Sequence, residues 1–565
     1  MEERVWHKNY EPEVPRSLDY PQVPVYQFLY EAASRKPDGQ AIIFFGRKFT
    51  FAWLKEQVER FATALAAMGV KEGDRVALML PNCPQIVIGY YGALRAGAVV
   101  VLTNPMYVER EIEHQMNDSG TETIVALDHL WPRIAKVKDK TPLKNVILTG
   151  MADYMPFPLS FLYPMKAKRD KLTVGIPPGS GAVSFKNLLA TTGATPPAVT
   201  HDLADDPAVF QYTGGTTGLS KGAVLTHRNL VANALQNRAW VHQARWGEEV
   251  VLGVLPLFHS YGMTCVMNIA VVLASPMILL PRFVVPDLLK AISKYKVRLF
   301  PGTPTMYVAI NNYPDLKKYD LSSIEACNSG AAPLMAETQT RFQEITGGRL
   351  VEGYGLSETS PTTHANPMWG KSKIGSIGVP YPDTEAKIVD LETGEKELPP
   401  GEVGELIIRG PQVMKGYWNK PEETARTLRD GWLYTGDIAR MDEEGYFYIV
   451  DRKKDLIIAG GFNIYPRDVE EVLFEHPKVL EAAVAGIPDP YRGETVKAYV
   501  VLKPGETATE EDIIAFCRER MAAFKAPRMV EFRASLPKTM VGKVLRRVLV
   551  EEEQAKLAKE GEGIA

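Results

Sequence analysis

No stretch constrains this chain more than Gln211-Tyr212-Thr213-Gly214-Gly215-Thr216-Thr217-Gly218-Leu219-Ser220-Lys221-Gly222. Glycines allow positive φ and close backbone approach, so successive N–H groups can converge on an anion, while threonine hydroxyls and a lysine add donors and charge. A β-branched segment, 208–212, leads into the run, and helical periodicity over 226–241 leads away from it. The run therefore reads as a phosphate-holding loop at the end of a strand. It is not the Walker loop, which needs glycine directly before its lysine and a hydroxyl directly after. Here Ser220 precedes Lys221 and Gly222 follows. A flexible surface loop is the competing reading, and it leaves unexplained why three glycines and four hydroxyls fall in the eight residues before Lys221.

The flanking pattern sets the fold class. Strand-like 75–80, helical 85–96 and strand-like 98–102 alternate, which is the pattern of a largely parallel sheet with helices on its faces. The apolar stretch 265–280 contains Asn268, Ser275 and Pro276 and is shorter than the roughly 20 residues of a membrane span, so it reads as a buried helix followed by a buried strand. Beyond residue 370 the texture changes to short strands between Gly and Pro turns, at 375–378, 385–389 and 404–408, as in an antiparallel subdomain. Helices at 467–474 and 510–521 and strands at 479–484 and 496–502 outline a small α+β domain. Thr509 is placed to cap the second helix, with Glu510, Glu511 and Asp512 at its positive end. The charged tail 551–565 is expected to fray. The expected fold class is thus α/β with a β-rich subdomain: a large N-terminal domain of layered sheets and helices over 1–450, a hinge or exposed turn at 451–455, and a small mobile C-terminal domain over 456–565.

Composition narrows the function. A chain of 565 residues with 45% apolar content buries a large core and divides into more than one domain. Its 65 basic and 68 acidic residues, net −3, lack the basic excess that nucleic acid demands. Cys83, Cys265, Cys327 and Cys517 show no CxxC spacing, which argues against a zinc knuckle or a disulfide framework. The opening Met1-Glu2-Glu3-Arg4 lacks the character of a secretory leader, so a cytoplasmic location is expected.

Four more motifs follow in order. Gly353-Tyr354-Gly355-Leu356-Ser357-Glu358-Thr359 joins an aromatic face, a hydroxyl and a carboxylate, the groups that stack on a purine, donate to phosphate and ligate Mg2+. Asp430 to Asp437, continuing through Gly445 to Lys454, carries an aspartate after a Thr-Gly turn that can accept ribose hydroxyls, with Arg452 as a second contact. Gly460-Gly461-Phe462-Asn463-Ile464-Tyr465-Pro466 and Pro537-Lys538-Thr539-Met540-Val541-Gly542-Lys543 complete the set.

With all five in this order, the chain resembles the adenylate-forming superfamily of acyl-CoA synthetases, peptide-synthetase adenylation domains and firefly luciferase. The span 430–454 is most similar to the signature of fatty acyl-CoA synthetases. The resemblance implies an acid–thiol ligase using ATP, Mg2+ and CoA, in which a long-chain fatty carboxylate attacks the α-phosphate to give acyl-AMP and the CoA thiol then displaces AMP. It further implies that Thr213 and the loop Gly214, Gly215, Thr216, Thr217, Gly218 and Lys221 cradle the phosphates, with Thr213 and Glu358 on Mg2+. Tyr354, between Gly353 and Gly355, would lie on adenine, Ser357 at the α-phosphate, and Asp437 and Arg452 on ribose. Lys543 would stabilise charge at the reacting centre, His259 would line the acyl site with Gly262, Gly330, Ala331 and Ala332, Gly460 and Gly461 would pass the CoA arm, and Lys454 would serve the hinge. Two departures stand out: Ser220 where the family commonly has proline, and Ser357 where it commonly has threonine.

Alternatives within this chemistry are a medium-chain or aromatic acid–CoA ligase and a fatty acyl-AMP ligase that loads a carrier protein. A homodimer is one admissible assembly. The apolar run Met155 to Met165, followed by Lys166-Ala167-Lys168-Arg169, has the composition of an interfacial membrane anchor. Its prolines argue against a regular helix. Packing of Phe157, Phe161 and Leu162 against the N-terminal domain is the competing expectation.

Overall fold

In the computed structural model the described residues are 3–170, 172, 175–213, 220–459, 462–489, 492–539 and 542–562. The chain packs into two compact units, Met1–Glu385 with Arg409–Leu433, and Ala386–Ile408 with Tyr434–Ala565.

Two large sheets organise the first unit. In one, Val99–Leu102, Arg75–Met79, Thr123–Leu127 and Asn145–Thr149 run parallel. Almost every residue of these strands is buried, which is why they read as continuous apolar runs with no alternation. Pro207–Thr213 joins this sheet parallel to Val99–Leu102, then Lys221–Thr226 and Gly416–Tyr417 extend it antiparallel. In the other sheet Gln40–Phe44, Met277–Leu279, Val251–Gly253, Leu299–Gly302, Ala326–Ser329 and Arg349–Gly355 lie parallel in that spatial order. Thr362–Ala365 turns back antiparallel on the last of them. The helix Pro84–Arg95 is buried along nearly its whole length, as its all-round apolar character requires.

The expected helix-then-strand over 265–280 is present in modified form. A helical segment begins at Ser260, passes through a π-helical stretch, Met263–Asn268, and ends at Val272 ahead of the strand Met277–Leu279. Three expectations are corrected. Residues 375–378 form no strand, because Gly375 and Gly378 take φ of +77° and +87° and turn the chain; the strand here is Val379–Pro380. The segment after Phe157 is a helix, Leu159–Arg169, with Pro164 inside it, and Phe157, Phe161 and Leu162 are exposed where the alternative had them packed. The tail continues as the helix Arg546–Glu562, held by buried Leu549 and by a Lys497–Glu553 ion pair at 2.7 Å. No helix among the described residues is long and apolar enough to cross a membrane.

The second unit carries the β-rich part. Glu385–Val389, Val403–Arg409 and Trp432–Met441 pair in that order, and Phe447–Arg452 lies antiparallel to the last. A further sheet orders Phe462–Ile464, Ile457–Ala459, Gly493–Leu502 and Val479–Asp489, with Met529–Phe532 parallel beside Gly493–Leu502. The helices Pro466–Glu475 and Glu510–Arg520 pack on it through Val469, Leu473, Ile513 and Cys517. Thr509 caps the latter, its hydroxyl accepting from Asp512 N–H at 3.2 Å while Asp512 accepts from Thr509 N–H at 3.0 Å. The residues 386–408 and 434–450, which the sequence groups with the N-terminal domain, therefore cluster by packing with the C-terminal residues.

Candidate active site

In the first unit the two strands that flank the glycine run pair antiparallel from Pro207 opposite Thr226 to Thr213 opposite Lys221. Thr213 and Lys221 thus face one another where the ladder ends. Gly214, Gly215, Thr216, Thr217 and Gly218 lie outside the described residues, as do Gly460 and Gly461. The descending arm is fixed at Ser220, whose carbonyl accepts from His114 Nε2 at 2.9 Å.

Lys221 is surrounded by residues the motifs do not include. Its ammonium pairs with Glu423 on the helix Pro421–Thr427 and lies 5.3 Å from the Tyr417 ring centre. The Tyr417 hydroxyl donates to Glu358 Oε1 at 2.7 Å. Burial and the Glu358 charge push this phenol up, which keeps it a donor, and the hydrogen bond from Lys221 holds Glu423 below the usual carboxylate range. Tyr417 stands opposite Ala223 in the sheet, and Met414 N–H donates to the Glu358 carbonyl at 2.7 Å. One carboxylate and one hydroxyl, Glu358 and Thr213, suit Mg2+ that arrives with phosphate oxygens, because this ion is commonly held by one or two carboxylates plus substrate phosphates. Among the described residues no group of three or more His, Cys, Asp or Glu forms a cage of its own.

His259 begins the helical segment. Its Nδ1 accepts from Tyr261 N–H at 3.2 Å, which leaves the proton of the neutral ring on Nε2. Asn82 fixes the approach to it, donating to the carbonyls of Gly253 and Leu255 and accepting from Leu257 N–H. Gln211 ties the phosphate strand to the same segment through the Phe258 carbonyl at 3.3 Å. Ser260 Oγ lies 3.4 Å from Ser357 Oγ, so the His259 segment and the Ser357–Glu358 turn meet.

The small residues expected along the acyl site have local reasons to be small. A Cβ on Gly262 would fall 2.2 Å from the Pro256 carbonyl oxygen, and one on Gly330 would fall 3.1 Å from the Tyr261 ring. Ala331 is exposed with φ +70°, and Ala332 is half-buried. Tyr354 stands opposite His364, ring centres 6.0 Å apart. Its neighbours Gly353 and Gly355 are just as constrained: a Cβ on Gly355 would sit 1.9 Å from the Pro361 oxygen, and one on Gly353 2.5 Å from Asn328 Oδ1.

In the second unit Asp437 and Arg452 are directly opposite across the antiparallel pair, Arg452 Nε to Asp437 Oδ1 at 2.8 Å, with Asp437 buried. Lys543, far along the chain, lies within their field. Desolvation first, then the Arg452 guanidinium, lower its ammonium to about 8, against the opposing pull of Asp437. Lys454 is lowered to about 8 in the same way, by desolvation and Arg452. It occupies a turn bonded by Lys453 N–H to Gly436 O and by Asp455 N–H to Arg452 O. The exit from that turn is held by Arg546, which contacts Asp455 Oδ2 at 3.2 Å and Glu470 Oε2 at 2.7 Å. Burial raises Asp451 to about 6, although Arg467 N–H donates to its Oδ2.

Sequence reasoning missed Tyr417, Glu423 and Asn82 as parts of the site. Tyr417 and Glu423 lie in Gly416-Tyr417-Trp418 and Pro421-Glu422-Glu423, and only strand pairing brings them to Lys221.

The AMP-binding enzyme family matches residues 29–418, and the AMP-binding enzyme C-terminal domain matches 468–543. The chain is 51% identical over 554 residues to a long-chain-fatty-acid–CoA ligase of Bacillus subtilis strain 168, covering 98% of both chains. It is 40% identical over 559 residues to a protein of the same description from Escherichia coli O6:H1, covering 98% of this chain and 99% of that one. Among solved structures, ATP-bound MatB from Rhodopseudomonas palustris aligns with a TM-score of 0.81 at 30% identity, over 94% of this chain and 99% of that one. A long-chain-fatty-acid-CoA ligase from Archaeoglobus fulgidus aligns at 0.69 and 28%, over 93% and 99%. The chain belongs to the AMP-binding enzyme family, the adenylate-forming superfamily that its five ordered motifs resemble.

Proposed function

We propose that this chain joins a long-chain fatty acid to CoA in two steps at the expense of ATP. In the first, a carboxylate oxygen attacks the α-phosphorus, the bond to the β-phosphate oxygen breaks and pyrophosphate leaves. In the second, the CoA thiolate attacks the acyl carbon of acyl-AMP and AMP leaves. A free carboxylate would have to expel oxide; the mixed anhydride expels AMP. In-line attack at phosphorus requires positioning and charge neutralisation above all.

Lys221, Thr213 and the loop residues 214–218 receive the phosphates, and Ser357 reaches the α-phosphate. Mg2+, held by Glu358 and Thr213 with the phosphates, supplies charge neutralisation. Tyr354 lies against adenine, Asp437 and Arg452 hold ribose, and His259 borders the acyl site. Gly460 and Gly461 admit the pantetheine arm, and Lys454 is the pivot between the half-reactions. The observation that carries the reading is Lys543 in the field of the Asp437–Arg452 pair, placing a lysine remote in sequence beside the residues expected on ribose. Two relatives described as long-chain ligases, aligned over almost the whole chain, support the substrate class. The same reading keeps the chain in the cytoplasm.

Pyrophosphate release from a panel of acids, with and without CoA, tests it. Long-chain acids are expected to give the highest kcat/KM and to yield acyl-CoA once CoA is added. A preference for short or aromatic acids would overturn the substrate class, and AMP release independent of any acid would overturn the reaction.

A further inference from the structure

The helix Leu159–Arg169 presents large apolar side chains to solvent. Phe157 is 85% exposed, Phe161 66%, Met165 59%, Leu162 50% and Leu159 42%. The less exposed positions, Ser160, Tyr163, Pro164 and Ala167, recur at helical spacing and seat the opposite face on the first unit. Apolar and basic residues separate along the axis more than around it: the amino-terminal half is apolar, and Lys166, Lys168 and Arg169 crowd the carboxy-terminal end. A second segment of the chain joins the patch. Arg282 lies within electrostatic reach of Tyr163, and the next two residues, Phe283 and Val284, are also exposed.

We propose that this face is a docking surface for an anionic lipid bilayer, entered obliquely, with Phe157 and Phe161 in the acyl boundary and Lys166, Lys168 and Arg169 at the level of the headgroup phosphates. Exposed apolar patches on this scale mark interaction sites, and cations beside an apolar wedge match an anionic interface. A second copy of the chain fits less well. Two such helices packed together would bring six cations into one interface, and the acid beside them, Asp170, lies 3.7 Å from Arg169 with both side chains exposed. Under the reading above, the contact would deliver a substrate that dissolves in bilayers; the contact itself stands on the surface chemistry alone.

Co-sedimentation of the full-length protein with phosphatidylcholine vesicles, with and without phosphatidylglycerol, tests the proposal. Wild type is expected to bind the anionic vesicles, more weakly at high salt, and to bind neutral ones poorly. Phe157→Ser with Phe161→Ser should weaken binding about tenfold or more. Neutralising Lys166, Lys168 and Arg169 to glutamine should cost about fivefold per charge and remove most of the salt dependence. Both variants should keep the wild-type melting temperature and wild-type pyrophosphate release with detergent-dispersed acid, so failure of the membrane contact and failure of the ligase reading are separate results. Wild-type indifference to anionic vesicles, or variants that bind as wild type does, would overturn the proposal. So would a wild-type dimer that the phenylalanine variant dissolves in the absence of vesicles, since the face would then belong to a second copy.

Discussion

Lys543 lies in the field of the Asp437–Arg452 pair. Its ammonium, lowered to about 8 by desolvation and Arg452, is charged below that pH and neutral above it. The kcat/KM for the ATP-dependent step should therefore fall as pH rises through about 8, and Lys543→Arg, whose guanidinium stays charged, should move that fall upward. An identical profile in the arginine variant would remove Lys543 from charge stabilisation. In Lys543→Ala, pyrophosphate release from acid plus ATP should drop about a hundredfold or more, while conversion of supplied acyl-AMP and CoA to product is largely retained; equal loss in both would contradict the division of labour. Tyr417 contacts Glu358 and Lys221, the residues proposed to meet Mg·ATP. Removing its hydrogen bond to the Glu358 carboxylate with Tyr417→Phe should cost at least about 1.5 kcal/mol, read as a KM for Mg·ATP raised about tenfold; an unchanged KM would leave Tyr417 a packing residue. Glycine, hydroxyl and lysine types at close spacing single out Thr213 and Lys221 as candidates in the sequence, and the Ser357-Glu358 pair in its glycine-bounded segment singles out Glu358. Tyr417 and Glu423 are not singled out, because they reach Lys221 only through strand pairing, Glu423 from 202 residues away. Gly262 and Gly330 teach a related lesson: the sequence shows small residues, and only coordinates show that Pro256 and Tyr261 fill the space.

Among the elements, long buried strands and helices followed their apolar patterns closely, and errors gathered where local backbone decided the outcome. Strand 75–80 is present as Arg75–Met79, and helix 226–241 as His227–Trp240. Residues 375–378 are expected as a short strand, but their two glycines take positive φ and turn the chain. The helix Leu159–Arg169 runs through Pro164, which removes one i→i−4 hydrogen bond from it and lies on its less exposed face. The segment 451–455 tests the element scale directly. It combines the buried carboxylate of Asp451, a turn tied to Gly436, and the Arg546 clamp on Asp455 and Glu470. Lys454→Pro fixes φ near −65° in that turn. If the turn is the pivot between half-reactions, adenylation should persist while acyl-CoA formation from acyl-AMP falls, with an unchanged circular dichroism spectrum. Equal loss in both steps would make it a simple turn.

Across the whole molecule, the sequence placed a boundary at 451–455, whereas packing joins 386–408 and 434–450 to the C-terminal residues. The strands of those two stretches form a sheet of their own, so strand patterning along the chain does not reveal which neighbours that sheet packs with. That regrouping places Asp437, Arg452, Lys454 and Lys543 in one unit, while Thr213, Lys221, His259, Ser357 and Glu358 belong to the other. If one reaction through acyl-AMP uses both sets, the fate of the carboxylate oxygens reveals it. With a long-chain acid carrying heavy oxygen in both carboxylate positions, plus ATP and CoA, mass spectrometry of the products should find one heavy oxygen in each AMP and none in pyrophosphate. Unlabelled AMP, or label in a phosphate released from the γ end of ATP, would show that the acid is activated elsewhere than at the α-phosphorus and would contradict the account.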